Sequence, residues 1–171
     1  MDISLSIFLF TLLFNSICFA SAREDLLFKR AVNDFKNQQY EKSKDEFEQL
    51  TKSNPSKAIY WLNLGNSYYE LREYDDAVES YQKVIQLNSP LSPVANLYIA
   101  KAYRKQKKVK NARNFLNSID VQAIPPNLKN VVIEEKVALQ STEKEHFLDK
   151  ALDDYHDGDN EEALDNIISF L

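Results

Sequence analysis

Residues 58–91 read AIYWLNLGNSYYELREYDDAVESYQKVIQLNSPL, and their spacing sets the fold of the whole chain. Trp61 is followed by Leu64-Gly65, then Tyr68, then Ala77, then Tyr81 four residues on. Positions three and four apart share a helix face, so Leu64, Gly65 and Tyr68 fall on one face of a first helix and Ala77 and Tyr81 on one face of a second. Gly65 and Ala77 are expected where the two helix backbones approach most closely, with Trp61, Tyr68, Tyr74 and Tyr81 filling the space beside them. One such hairpin cannot bury both of its faces, so it needs neighbours of the same kind.

The neighbours are in the sequence. A step of 34 residues back carries Gly65 to Ala31, Tyr69 to Phe35, Tyr74 to Tyr40, Ala77 to Ser43, Tyr81 to Phe47 and Val84 to Leu50. A step of 35 forward carries Gly65 to Ala100, Tyr68 to Tyr103, Ala77 to Ala112, Tyr81 to Leu116 and Val84 to Ile119. Repeats are therefore predicted over about 24–57, 58–92 and 93–126. A further step of 51, one period plus 17 residues, reaches Ala151, Tyr155, Gly158, Ala163, Ile167 and Phe170, a fourth hairpin over 144–171. The extra residues, 127–143, follow Pro125-Pro126 and carry an imperfect apolar stripe, which predicts one added helix. It either breaks near Ser141-Thr142 or runs on into the next helix.

This pattern resembles the tetratricopeptide repeat (TPR) superfamily over nearly all of the chain after residue 23, with the 58–91 stretch matching best. Asp34 and Asn160 depart from it, standing where the family usually has an aromatic or small apolar residue. The resemblance implies an all-α fold, a right-handed α-solenoid of helix hairpins, and a protein-binding role. It also implies which residues face the groove, because in this family the first helix of each hairpin lines the concave surface. By that correspondence the groove candidates are Phe28, Val32 and Phe35, then Leu62, Asn63, Asn66 and Tyr69, then Leu97, Lys101, Arg104 and Lys105. The groove would run from apolar to basic. The carboxylate clamp of chaperone-binding members is matched only at Asn63, since Phe28, Val32, Val94 and Tyr98 occupy its other positions, so heat-shock tails are not the expected ligand.

Ahead of the repeats, Ile3 to Phe19 is almost wholly apolar and Ala20-Ser21-Ala22 is a small-x-small site before the polar Arg23. That is the pattern of a secretory signal peptide over 1–22. Met1 to Ser4 holds no Lys or Arg, so an uncleaved anchor is the alternative and the only expected tie to a membrane. Cys18, the single cysteine, reads as part of the apolar run; a lipid acceptor would want a small residue at Ile17. A chain exported without cysteine or an Asn-x-Ser/Thr sequon fits the periplasm or envelope of a bacterium.

Without residues 1–22 the chain loses one acid, Asp2, and has 21 bases against 25 acids, a net charge of −4. The charge is unevenly spread. Lys101 to Arg113 is free of acids, whereas Glu143 to Asp165 holds ten acids and two lysines. The basic run has no nucleic-acid recognition motif, so a solvated face or a contact for an acidic partner is expected instead. Read as an EF-hand, the acidic run puts Tyr155 and Leu164 where oxygen ligands belong, so no metal is expected. His146 and His156 lack any metal or nucleophile context, and two glycines cannot make a phosphate loop. No catalytic residue and no cofactor is predicted.

Three functional classes follow: an envelope adaptor holding a partner segment, a structural module of a larger envelope protein, and a regulatory subunit of an enzyme. The chain stops at Ile167-Ile168-Ser169-Phe170-Leu171 without a polar cap, so this edge is expected to be covered by further chain, a second copy or a partner.

Overall fold

A computed structural model of the chain describes residues 21–120 and 122–156, with the side chains of residues 142, 143, 145, 146, 154 and 155 left out of that description. The residues before 21 on which the signal peptide is expected, Cys18, Gly158 and residues 167–171, where an apolar edge is expected, lie outside the described residues. Every described element is helical: α1 (21–36), α2 (Tyr40–Ser53), α3 (Ala58–Glu70), α4 (Tyr74–Gln86), α5 (Ser92–Lys105), α6 (Val109–Asn117) and α7 (Pro126–His156). The chain divides into two units, residues 1–83 and 84–171, with the division inside α4.

Three turns share one geometry. Gln38, Arg72 and Lys107 have positive φ of 60°, 64° and 58°, and they stand 34 and 35 residues apart, the offsets of the apolar pattern. In each turn the next residue donates its N–H five residues back: Gln39 to the Asp34 carbonyl, Glu73 to Tyr68, Lys108 to Tyr103. This closure satisfies helix-end carbonyls, and its left-handed residue is usually glycine because a side chain there costs about 1–2 kcal/mol. None of the three is glycine, so the sequence carries no glycine signal at its tightest turns.

In the first unit Ala31, Phe47, Leu50, Tyr60 and Leu64 form a buried cluster, with Leu27, Phe28, Val32, Trp61 and Tyr68 packed against it. The Phe28 ring lies 6.0 Å from Phe47, edge-on, and 5.4 Å from Tyr60. Several polar groups within these helices are bonded to one another. Ser43, at the small-residue position, donates to the Ala31 carbonyl at 3.0 Å and lies 3.1 Å from Ser67 Oγ. Tyr68 donates to Glu48 at 2.9 Å and Tyr60 to Glu24 at 2.8 Å. Those bonds hold both carboxyls below the usual range, while burial pushes the two phenols up.

Gly65 is needed for a reason other than the expected backbone approach. A Cβ built on it would sit 2.5 Å from the ring of Tyr81, which is fully buried and donates to Asn66 Oδ1 at 2.9 Å. The glycine makes room for an aromatic ring fixed at its far end. Trp61 is similarly tied, its indole N–H bonding the Pro55 carbonyl at 2.8 Å.

In the second unit α5 pairs with α6, and α7 packs on both. The buried apolar residues here are small or aliphatic, among them Ala95, Ala100, Ala102, Ala112, Leu116, Ile119 and Ile124. α7 starts at Pro126, where a missing N–H costs nothing, and runs unbroken through Ser141-Thr142 to His156. The added helix and the start of the expected fourth hairpin are therefore one element. Val132, Glu135 and Leu139, at spacings of three and four, turn its first half inward.

Candidate partner-binding surfaces

The eleven residues read from the repeat correspondence fall into aligned rows, and burial separates the rows. Phe28, Leu62 and Leu97 make one. Phe28 is half-buried, but Leu62 is only 7% exposed and Leu97 is fully buried, so these two leucines are core residues rather than ligand contacts. Each enlarges the apolar area removed from water, at roughly 1.5–3 kcal/mol for a fully buried leucine.

Val32, Asn66 and Lys101 make a second row, and all three are half-exposed. Val32 and Phe28 share a surface depression of about 280 Å³ with Lys29, Asn33 and Lys36 on α1. Asn66 uses its carbonyl oxygen to accept from Tyr81, which leaves its amide nitrogen as the group it can donate with. Asn63, one position after Leu62 of the first row, donates to the Ile59 carbonyl of its own helix at 2.8 Å. The Lys101 ammonium lies 5.6 Å from the centre of the Tyr98 ring, whose hydroxyl is pushed up by burial. Lys105, at the end of α5, is exposed.

Phe35, Tyr69 and Arg104 make the third row, next to the turns. Phe35 meets Tyr40 edge-on at 5.3 Å and Tyr69 meets Tyr74 at 5.5 Å, both at 65°, so each aromatic clasps its own hairpin and keeps one side half-open. Arg104 does something else. Its guanidinium grips Glu135 of α7 with two bonds, Nε to Oε2 at 2.8 Å and Nη2 to Oε1 at 3.3 Å. The pair is largely shielded, with 20% and 10% of the side chains exposed. Arg104 is thus committed to holding α7, which corrects its reading as a groove contact.

Two residues that the repeat correspondence missed, Phe147 and Lys150, line a concavity of about 470 Å³ with Lys107, Lys108, Lys110 and Arg113. They come from the part of α7 that runs past the expected break, so only the length of that helix could have pointed to them.

Two family models, both described as tetratricopeptide repeat, match the chain, one at 58–89 and the other at 25–56 and 94–119. A search of curated protein sequences gives no match. Several solved structures are similar. The type III secretion chaperone SycD of Yersinia enterocolitica, in complex with a peptide of the translocator YopD, is 18% identical, with 71% of this chain and 93% of that one covered and a TM-score of 0.63. PcrH in complex with the chaperone-binding region of PopD is 16% identical, covering 74% and 95%, with a TM-score of 0.64. The first TPR domain of human RPAP3 is 19% identical, covering 71% and 95%, with a TM-score of 0.60. At such identities the likeness is one of fold.

Proposed function

Because the chain belongs to the tetratricopeptide-repeat family, we propose that it is a non-enzymatic adaptor which holds an extended segment of a partner protein, exported to the cell envelope of a bacterium. The observation that carries this reading is the repeated position Val32, Asn66 and Lys101, which stays half-open in three successive first helices although the residue before each, Ala31, Gly65 and Ala100, is buried. In the first unit the apolar Val32 and the amide of Asn66 suit a segment with an apolar side chain beside a polar group, and in the second unit the cationic Lys101 suits an acidic one. SycD and PcrH, which share the fold, form complexes with a peptide of the translocator YopD and with the chaperone-binding region of PopD. Contacts are expected from Phe28, Val32, Asn63, Asn66, Lys101 and Lys105, with Phe35 and Tyr69 at the edge.

The address rests on the apolar run Ile3 to Phe19 and on Ala20-Ser21-Ala22. N-terminal sequencing from the native host should begin at Arg23; a start at Met1 or a lipidated Cys18 overturns export with cleavage. For the binding surface, a partner recovered from envelope extract is titrated against variants. Val32→Asp with Asn66→Ala should weaken it about tenfold or more, since a buried carboxylate replaces an apolar contact. Lys101→Ala with Lys105→Ala should weaken it less and flatten its salt dependence, because exposed charges act over about 10 Å at 0.1 M salt. Affinity unchanged in both variants removes these faces as the site.

A further inference from the structure

Two rows of side chains run next to each other along α1. Phe28 and Val32 form an apolar row, and Lys29, Asn33 and Lys36, at spacings of four and three, form a polar row beside it. Together they line the depression of about 280 Å³. The Phe28 ring, held by Phe47 and Tyr60, is the fixed part of its wall, and Val32 is half-exposed. Lys29, Asn33 and Lys36 are exposed, and among the described residues none of their side chains makes a hydrogen bond or an ion pair. Asp25, exposed one turn before Lys29, does not pair with it. Elsewhere in the first unit Lys44, Lys52 and Lys57 each reach a glutamate. The depression therefore has an apolar centre between two cations that the fold itself does not use.

We propose that the α1 depression binds an extended segment of a partner protein in which one apolar residue stands between two carboxylates, in the pattern Glu-x-Leu-x-Glu. Lys29 and Lys36 are seven residues apart, roughly 10 Å along the helix, and Val32 lies between them. In an extended chain alternate side chains share a face, so both glutamates and the leucine point the same way, with the glutamates about 13 Å apart. The flexible lysine stems take up the difference. Asn33, also between the lysines, has both a carbonyl oxygen and an amide nitrogen to offer. An extended chain presents unpaired backbone N–H and C=O groups to meet them, whereas a partner helix has already used its own. The sign of the charge selects carboxylates. A free anion or a lipid headgroup would satisfy the lysines but leave Phe28 and Val32 without a role. The proposal rests on the reading of the chain as a holder of partner segments, and gives the first-unit end of that segment a chemistry and a register.

The test is fluorescence anisotropy on the full chain with a labelled peptide built around Glu-Ser-Leu-Ser-Glu, at low salt because each exposed ion pair contributes little. Three counterparts should bind less well: glutamines for the glutamates, serine for the leucine, and the same residues reordered as Glu-Glu-Ser-Ser-Leu. Lys29→Glu with Lys36→Glu should lower affinity about tenfold or more. Lys29→Gln with Lys36→Gln should lower it less and flatten the salt dependence. Val32→Ser should bring the affinities of the leucine and serine peptides together and leave the salt slope unchanged. Circular dichroism checks that the variants fold, and the replaced side chains are exposed or half-exposed. Equal binding of the ordered and reordered peptides, or affinity unchanged in both lysine variants, overturns the α1 site. Loss on Asn66→Ala with Lys101→Ala, but not on the α1 variants, overturns it too and keeps the adaptor reading. Stronger binding to phosphatidylglycerol vesicles than to the peptide overturns the choice of partner. Absence of peptide binding overturns the α1 site alone if an envelope partner still binds, and the adaptor reading with it if none does.

Discussion

The two units solve the same turn in different ways. In the first, Phe35 and Tyr69 pack on Tyr40 and Tyr74, so each hairpin is clasped by rings from its own two helices. In the second, the aligned residue is Arg104 and the aligned partner is Val109; the hairpin's ring pair is instead Tyr103 with Phe115 at 5.7 Å, away from the turn, and Arg104 reaches Glu135 on the helix that follows. An aromatic clasp is local and leaves one face of the ring open for a visitor. An ion pair to a third helix fixes that helix and closes the site. The repeat position is the same in both units, so its chemistry is set by what comes after the hairpin.

The contrast can be broken from either side, with separate readouts. Trp61 is the chain's one tryptophan and lies in the first unit, so its fluorescence reports there, while circular dichroism reports on all helices. The largest effect is expected from Tyr81→Ala, which empties the space under Gly65 and should cost about 3–5 kcal/mol in urea denaturation followed by Trp61. Tyr81→Phe keeps the ring and loses only the bond to Asn66, about 1 kcal/mol. An Ala variant no worse than the Phe variant would mean that the ring does not fill the first unit's core. Next comes Arg104→Ala. Glu135 would stay shielded without its partner, at a cost of about 2 kcal/mol, below the 3–5 of a fully buried pair. The loss should show in circular dichroism more than in Trp61 fluorescence, and Arg104→Met with Glu135→Leu should recover most of it. Equal loss in both signals would erase the distinction between local clasp and third-helix tether. The smallest effect is a gain: Arg72→Gly relieves the left-handed strain and should stabilise by about 1 kcal/mol, since the turn needs no side chain there. A loss of stability instead would show that the Arg72 side chain is needed at that turn.

The hairpins were legible because their signal is doubled: a spacing within each hairpin and the same spacing again one period on. Spacing alone puts Ser43 at the place that Ala77 holds one period later, since only a small residue fits that position, and its hydroxyl is absorbed by the Ala31 carbonyl. What the sequence hid lies off the period. Ser141-Thr142 allows a break without requiring one, and packing of Val132, Glu135 and Leu139 against the preceding hairpin lets α7 pass through. Correspondence placed Arg104 on the right helix face but could not supply its partner, because Glu135 belongs to the inserted helix and has no counterpart one period earlier. The leucines of the first row were read from helix face alone, which does not say how deep a residue sits. Gln38, Arg72 and Lys107 give no warning of their conformation, since their side chains are ordinary helix formers.

The continuity of α7 also sets how disturbance travels. Thirty-one residues at a helical rise make a rod of roughly 46 Å, against roughly 13 Å for α6 beside it. Its first half is pinned by Val132, Glu135 and Leu139, while further on Ala151 is the one buried residue among the described side chains and Phe147, Leu148 and Leu152 are 38%, 46% and 56% exposed. Each helical bond leans on the one before it, so opening is cheapest at the far end and dearer toward Glu135. Amide exchange along α7 should therefore be graded like a frayed rope, with the Arg104 pair as its knot.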